Sequence, residues 1–207
     1  MKKFLNAILA ICLALFVIGS SVIITMNIKS IYYNDIDKLN IESMSNLSKE
    51  DIIENYDYLI DYNLSWKADE FELPSLPSSH NGKIHFQEVR DIFQNVRIIS
   101  IIGGIIQIRK KEFKFLRNSS ILIIVMPVLL AIPIAINFNA CFIMFHKIMF
   151  SNDYWIFNPE IDPVINMLPE TFFMHMGVAI LAIMLICSIV LQLIYRKLKT
   201  INYDNLK

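Results

Sequence analysis

Two short stretches carry most of the residues able to do chemistry. Residues 145–173 hold His146, Trp155, three prolines and four acidic side chains, with an aromatic every few positions. Residues 85–91, His85-Phe86-Gln87-Glu88-Val89-Arg90-Asp91, are the other stretch of that character. A histidine titrates near pH ~6.5, so it can take or give a proton at neutral pH. Two of them facing each other can act as base and acid in one acyl transfer. Glu88, Asp91, Asp153, Glu160, Asp162 and Glu170 are at hand to orient them. Paired histidines with carboxylates could equally bind zinc, although no two histidines here stand three or four positions apart. Helix-borne histidines can also ligate haem in a bundle, but His85 and His146 fall near the ends of apolar segments rather than mid-span. Tyr154, Trp155 and Phe157 suit either an interfacial aromatic belt or a lipid-binding pocket. His80, in a Ser-rich loop, and His175, on an otherwise apolar helix, have no comparable surroundings.

Other chemistries leave no trace. The chain has no P-loop, GxGxxG, HExxH or GxSxG pattern, so no nucleotide or other cofactor is expected, and no metal. No basic, aromatic-interleaved surface points to nucleic acid. Cys12, Cys141 and Cys187 lie in or beside apolar segments and read as buried small hydrophobes, not a disulfide framework.

The elements that must position the two stretches are membrane helices. At 207 residues and 55% hydrophobic, the chain is too apolar for an ordinary soluble domain. Its basic residues gather at Lys2 and Lys3, at Arg109, Lys110, Lys111, Lys114 and Arg117, and at Arg196, Lys197 and Lys199. Residues 28–91 instead hold thirteen acidic and six basic side chains. Short basic loops stay cytoplasmic. Both termini and the loop near 109–118 are therefore expected inside, and residues 28–91 and 143–172 outside.

Taken in order, residues 1–27 form a first transmembrane helix; its apolar run is too long for a signal peptide and no small-x-small cleavage site follows. Residues 28–91 form an extracytoplasmic cap, too small to bury much core alone. Within it, Ser48 followed by Asp51 predicts a helix through about Leu64 with Ile52, Ile53, Tyr56, Leu59 and Ile60 on its apolar face. Residues 71–74 read as extended chain and 77–82 as a loop, with the next helical period starting at His85. Residues 92–207 hold transmembrane helices two to four, the third over 119–144 with kinks at Pro127 and Pro133, the fourth over 173–195. Gly103 and Gly104 would let helices approach closely. Arg97 lies about 18 Å along the helix from Arg109, at 1.5 Å per residue, which is deep for a charge in a bilayer. The expectation is an all-α membrane protein of four transmembrane helices with a small extracytoplasmic cap and both termini cytoplasmic.

The residues His85-Phe86-x-Glu88-Val89-Arg90-Asp91-x-Phe93, then Phe145-His146-x-x-x-Phe150 and Trp155-x-Phe157-x-Pro159-x-x-Asp162-Pro163-x-Ile165-x-x-Leu168-Pro169-Glu170-x-Phe172-Phe173, resemble the bacterial lipoprotein intramolecular transacylase family. The layout matches over nearly the whole chain, while residues 30–80 find no residue-by-residue counterpart. The resemblance implies a multi-pass enzyme of the cytoplasmic membrane with its active site on the extracytoplasmic side. Its substrate would be a lipoprotein whose N-terminal cysteine carries a diacylglyceryl thioether and a free α-amine. The sn-2 acyl chain would pass to that amine, giving a lyso-form lipoprotein. The family's catalytic histidines fall on His85 and His146, and Glu88, Arg97, Tyr154, Trp155, Phe157, Asp162 and Glu170 are the expected substrate-binding or orienting residues. Ester to amide runs downhill, so no nucleotide is needed. Two other readings stand beside it: a non-catalytic membrane subunit whose cap binds a partner protein, and a metal-dependent membrane hydrolase.

Overall fold

The computed structural model describes residues 2–67, 70–107 and 114–204, and every regular element in them is helical. Arg109, Lys110 and Lys111, the centre of the expected cytoplasmic loop, lie outside the described residues. In order come α1 (Lys2–Asn27), α2 (Ser30–Lys38), α3 (Ile41–Ser45), α4 (Lys49–Leu64), α5 (His80–Gln107), α6 (Lys114–Ile136), α7 (Phe138–Met149), α8 (Val164–Met167) and α9 (Glu170–Asp204). Among the described residues three stretches are long and apolar enough to cross a bilayer: Lys3–Asn27, Lys114–Ile136 and Glu170–Ile201. α7 is a fourth apolar helix, shorter at 12 residues. The chain divides into two compact units.

The first unit comprises Met1–Ile24, Val96–Ala135 and Val178–Lys207. Its small core joins Leu9, Ala10, Leu13, Ala14 and Val17 of α1 to Phe115 and Ile123 of α6 and Met184 of α9. Its other large apolar side chains, such as Leu129, Ile132, Ile186 and Leu193, point outward, which is stable only where the surroundings are themselves apolar. Hydroxyls tie the helices together. Ser119 donates to the Ala10 carbonyl at 3.1 Å, Ser188 to the Ser120 carbonyl at 2.8 Å, and Ser120 to Gln192 at 3.1 Å. The Gly103-Gly104 pair does permit close approach: a Cβ on Gly103 would stand 2.6 Å from the Cys12 carbonyl oxygen, and one on Gly104 would stand 3.1 Å from the Phe16 ring.

The second unit comprises Thr25–Asn95 and Ile136–Gly177. The segment too small to bury a core alone finds its partner in residues 164–172. Ile36, Ile52, Tyr56, Ile60 and Phe71 pack with Val164, Met167, Leu168 and Phe172. At the centre, Tyr32 and Tyr56 stack at 3.8 Å with Phe172 edge-on to both, and the Tyr32 hydroxyl donates to the Met167 carbonyl at 2.7 Å. α4 begins where the sequence places it, with Ser48 Oγ accepting from the Asp51 N–H at 3.1 Å. Its buried residues include Ile52, Tyr56, Leu59 and Ile60. Asn55 of the same helix is fully buried and holds Ser75 through both its amide atoms.

Two expectations need correction. Helix α5 starts at His80, not His85, because Ser79 acts as its cap: Ser79 Oγ accepts from the Gly82 N–H at 3.0 Å. The expected single helix over 119–144 is two helices. α6 runs through Pro127 and Pro133 and ends at Ile136; Asn137 then turns extended and caps α7 by accepting from the Ala140 N–H at 3.0 Å.

Candidate active site

All four histidines fall in the second unit. His85 sits in the second turn of α5, 5% exposed, and His146 sits in the last turn of α7. Their ring centroids are 6.2 Å apart, close enough to share one reacting group and too far for a direct bond between ring nitrogens. Aromatic rings close around the pair. Phe150 lies 4.7 Å from His85 and 5.7 Å from His146, Phe157 lies 5.4 Å from His85, and Trp155 lies 4.9 Å from His146. Phe157 also stacks on Phe86, which stacks on Phe71, so the site's wall continues into the unit's core.

This enclosure sets the protonation states. Burial, and then the neighbouring His146, push His85 down to about 4. Burial also lowers His146, against the opposing pull of its bond to the Phe142 carbonyl. That bond, 2.8 Å from Nδ1, assigns the proton to Nδ1 and leaves Nε2 with a free lone pair. Both rings are thus neutral at pH 7 and able to accept a proton. The sign for stability follows: an unfolded histidine takes up a proton near pH ~6.5, whereas folded His85 does so only near about 4. Its contribution to stability is complete above that unfolded value and is lost as pH falls towards the folded one. The unfolding temperature of the detergent-solubilised protein should drop steadily across that window, and His85→Gln should flatten the drop.

Glu88 stands one turn beyond His85, and its Oε1 accepts from Asn152 Nδ2 at 2.8 Å. Asn152 also accepts from the Tyr154 N–H at 3.0 Å, so one side chain shapes the turn carrying Tyr154 and Trp155 and holds Glu88. Asn152 escaped the sequence reading; an Asn two residues before an aromatic pair is a turn signal and nothing more. Asp162 is 5% exposed, and both its oxygens are engaged by Ser79, Oδ1 by the N–H and Oδ2 by the hydroxyl, each at 2.7 Å. Glu170, in the first turn of α9, accepts from Asn139 in the first turn of α7. Arg97 falls in the first unit. His175, set aside on sequence grounds, has a buried partner: Asp35, 2.8 Å from its Nδ1. Among the described residues no three His, Cys, Asp or Glu side chains come together as a metal site.

The arrangement can take a proton from one group and return it to another inside a wall of aromatic rings, which suits transfer between two groups of one bound molecule. A family model described as lipoprotein intramolecular transacylase Lit matches residues 7–173. The structure is similar to that of the membrane integral lipoprotein intramolecular transacylase Lit from Bacillus cereus, at 39% identity and a TM-score of 0.89, covering 100% of this chain and 99% of that one. It is also similar to structures of that protein with an H85R mutation (TM-score 0.85) and an H85A mutation (0.84), both at 39% identity, covering 99% and 100% of this chain and 95% and 96% of theirs. A search of curated proteins gives no match.

Proposed function

Because this chain belongs to the lipoprotein intramolecular transacylase family, a family of membrane-integral acyltransferases, we propose that it acts on the diacylglyceryl-modified N-terminal cysteine of lipoproteins and moves the sn-2 acyl chain to the α-amine. The observation that carries this is the pairing of neutral His85 and His146 at 6.2 Å. During transfer the amine nitrogen bonds to the ester carbonyl carbon and the bond from that carbon to the glyceryl oxygen breaks. One amine proton leaves nitrogen and one arrives on the glyceryl oxygen. One histidine serves as base towards the nitrogen, and the other polarises the carbonyl or protonates the departing oxygen. A neutral histidine can take this proton because the nitrogen becomes more acidic once it has attacked. Trp155, Phe157, Tyr154 and Glu88 line or hold the substrate's place, while Asp162 and Glu170 hold the helices that carry the histidines. The relative's structures with H85R and H85A mutations keep the fold seen here, at TM-scores of 0.85 and 0.84.

In this reading α1, the C-terminal half of α5, α6 and α9 cross the cytoplasmic membrane with both termini inside. The site in the second unit opens to the extracytoplasmic side. The basic residues at the start of α1 and near the end of α9 support that orientation. The substrate's acyl chains stay in the membrane lipid.

The test is tandem mass spectrometry of one abundant lipoprotein's N-terminal peptide, from a host lacking other N-acylating enzymes. An acyl amide on the cysteine with a monoacyl glyceryl group should appear only when this gene is expressed. A free amine on a diacylglyceryl cysteine, despite confirmed membrane expression, would overturn the proposal. The pH profile gives a second reading. His85 stays neutral from about 4 upward, whereas an α-amine loses its proton only near pH ~7.7–8.0. kcat/KM on a synthetic lipopeptide should therefore rise through the amine's titration; a limb centred near pH ~6.5 would contradict two neutral histidines.

A further inference from the structure

A buried polar atom without a partner costs free energy, roughly 1–3 kcal/mol, so a cluster of them beside a site marks where a ligand's polar atoms belong. Three such atoms belong to residues of the histidine site: His85 Nδ1, Glu88 Oε2 and Trp155 Nε1. Their polarities differ. The indole N–H can only donate, an ionised carboxylate oxygen can only accept, and an imidazole nitrogen can do either. The side chains are also held in place. Glu88 is fixed through its other oxygen by Asn152, and Trp155 packs against His146 with ring centroids 4.9 Å apart. Asn152 belongs to the same short turn as Trp155, so both groups are set by one piece of backbone.

An intramolecular transfer from ester to amine presents the same three polarities. The ester carbonyl oxygen accepts and gains negative charge as the nitrogen attacks. The amine offers N–H bonds. The travelling proton needs a group that both takes and gives. We infer that Trp155 donates its indole N–H to the ester carbonyl oxygen and that Glu88 accepts an N–H of the substrate's α-amine. This deepens the transacylase reading and rests on it. Glu88 holds the amine with its lone pair turned to the carbonyl carbon, and the Trp155 N–H stabilises the oxygen as charge develops there, the role of an oxyanion donor. No bond beyond those of the transfer itself forms or breaks.

The two roles separate in experiment. The binding probe is a dialkylglyceryl cysteine lipopeptide, whose ether links cannot react, compared with its counterpart bearing a hydroxyl in place of the α-amine. The purified wild-type protein should bind the amine form about tenfold or more tightly near pH 6.5, and Glu88→Gln should shrink that preference to within about twofold. Trp155→Phe should leave the ratio of the two affinities unchanged and lower kcat on the ester-linked lipopeptide by about 10²–10³, the effect of deleting one oxyanion donor. If Trp155→Phe fails to fold, benzothienylalanine at position 155 keeps the bicyclic ring without the N–H and gives the same reading. Glu88→Gln retaining the amine preference, or the Trp155 variant keeping kcat within about threefold, overturns the inference. The binding arm needs no turnover. A wild type that prefers the amine form yet makes no lyso product would sink the transacylase reading and leave the Glu88 assignment standing.

Discussion

His146→Asn is expected to abolish detectable lyso-lipoprotein, a loss of at least about 10²–10⁴-fold in kcat, while the protein still folds and inserts. Asparagine is the informative replacement because its side-chain amide can still donate to the Phe142 carbonyl as His146 Nδ1 does. What it removes is the Nε2 lone pair. His146 is only half-buried, so the substitution should scarcely move the unfolding temperature. His85→Gln should lose as much activity with a larger effect on stability, since this ring is packed against Phe86, Phe150 and Phe157. The decisive measurement is the double variant, assayed for N-acyl product by mass spectrometry beside each single one. Groups that act as a unit in one proton relay are strongly non-additive, so the double variant should be no worse than the poorer single variant. Multiplying losses, or a single variant with wild-type kcat, would show that the two rings do not share one reaction.

The second large effect is expected from Asp162→Ala. Asp162 closes the start of α5 by accepting from both the N–H and the hydroxyl of Ser79, and Ser79 in turn caps Gly82. The packing there is tight: a Cβ on Gly82 would stand 2.5 Å from Asp162 Oδ1 and 3.4 Å from the Phe157 ring. Alanine removes two charge-assisted hydrogen bonds and leaves a part-buried N–H unpaired. At about 1.5–3 kcal/mol each, this should cost several kcal/mol and lower the unfolding temperature by roughly 10 °C. Activity should fall too, because His85 lies on the next turn of α5 and Phe157 walls it. Asp162→Asn keeps one of the two acceptors and should fall between alanine and wild type on both measures. An unfolding temperature unmoved by alanine would show that the clamp is not what holds α5.

These two residues also mark how far the sequence could be read. His146 stood out in the sequence because a histidine amid dense aromatic and acidic residues is conspicuous at any conformation. Asp162 was equally conspicuous and was expected to bind or orient the substrate. Its partner, Ser79, which engages both its oxygens, lies eighty-three positions earlier and could not be read from the pattern. Glu170 was expected in the same role, and its bond to Asn139 of α7 was likewise invisible. Asn152 and the Asp35–His175 pair went unseen, because each matters only through a partner far away in the chain.

What the sequence determined by itself is what local physics governs. An apolar run long enough to cross a bilayer has no stable alternative to helix there, so the all-helical membrane character followed from composition and segment length. Ser48 and Asp51 lie within one helical turn, so their cap needed nothing else to form. The tertiary structure decided what depends on distant partners. It broke the expected third helix at Asn137 rather than at either proline. It brought His85 and His146, sixty-one positions apart in the chain, to 6.2 Å. It also lowered both histidines by burial, so that two rings which would titrate near neutrality in isolation are neutral bases in place. Burial and long-range pairing are properties of the packed unit, and a periodic pattern of residue types encodes neither.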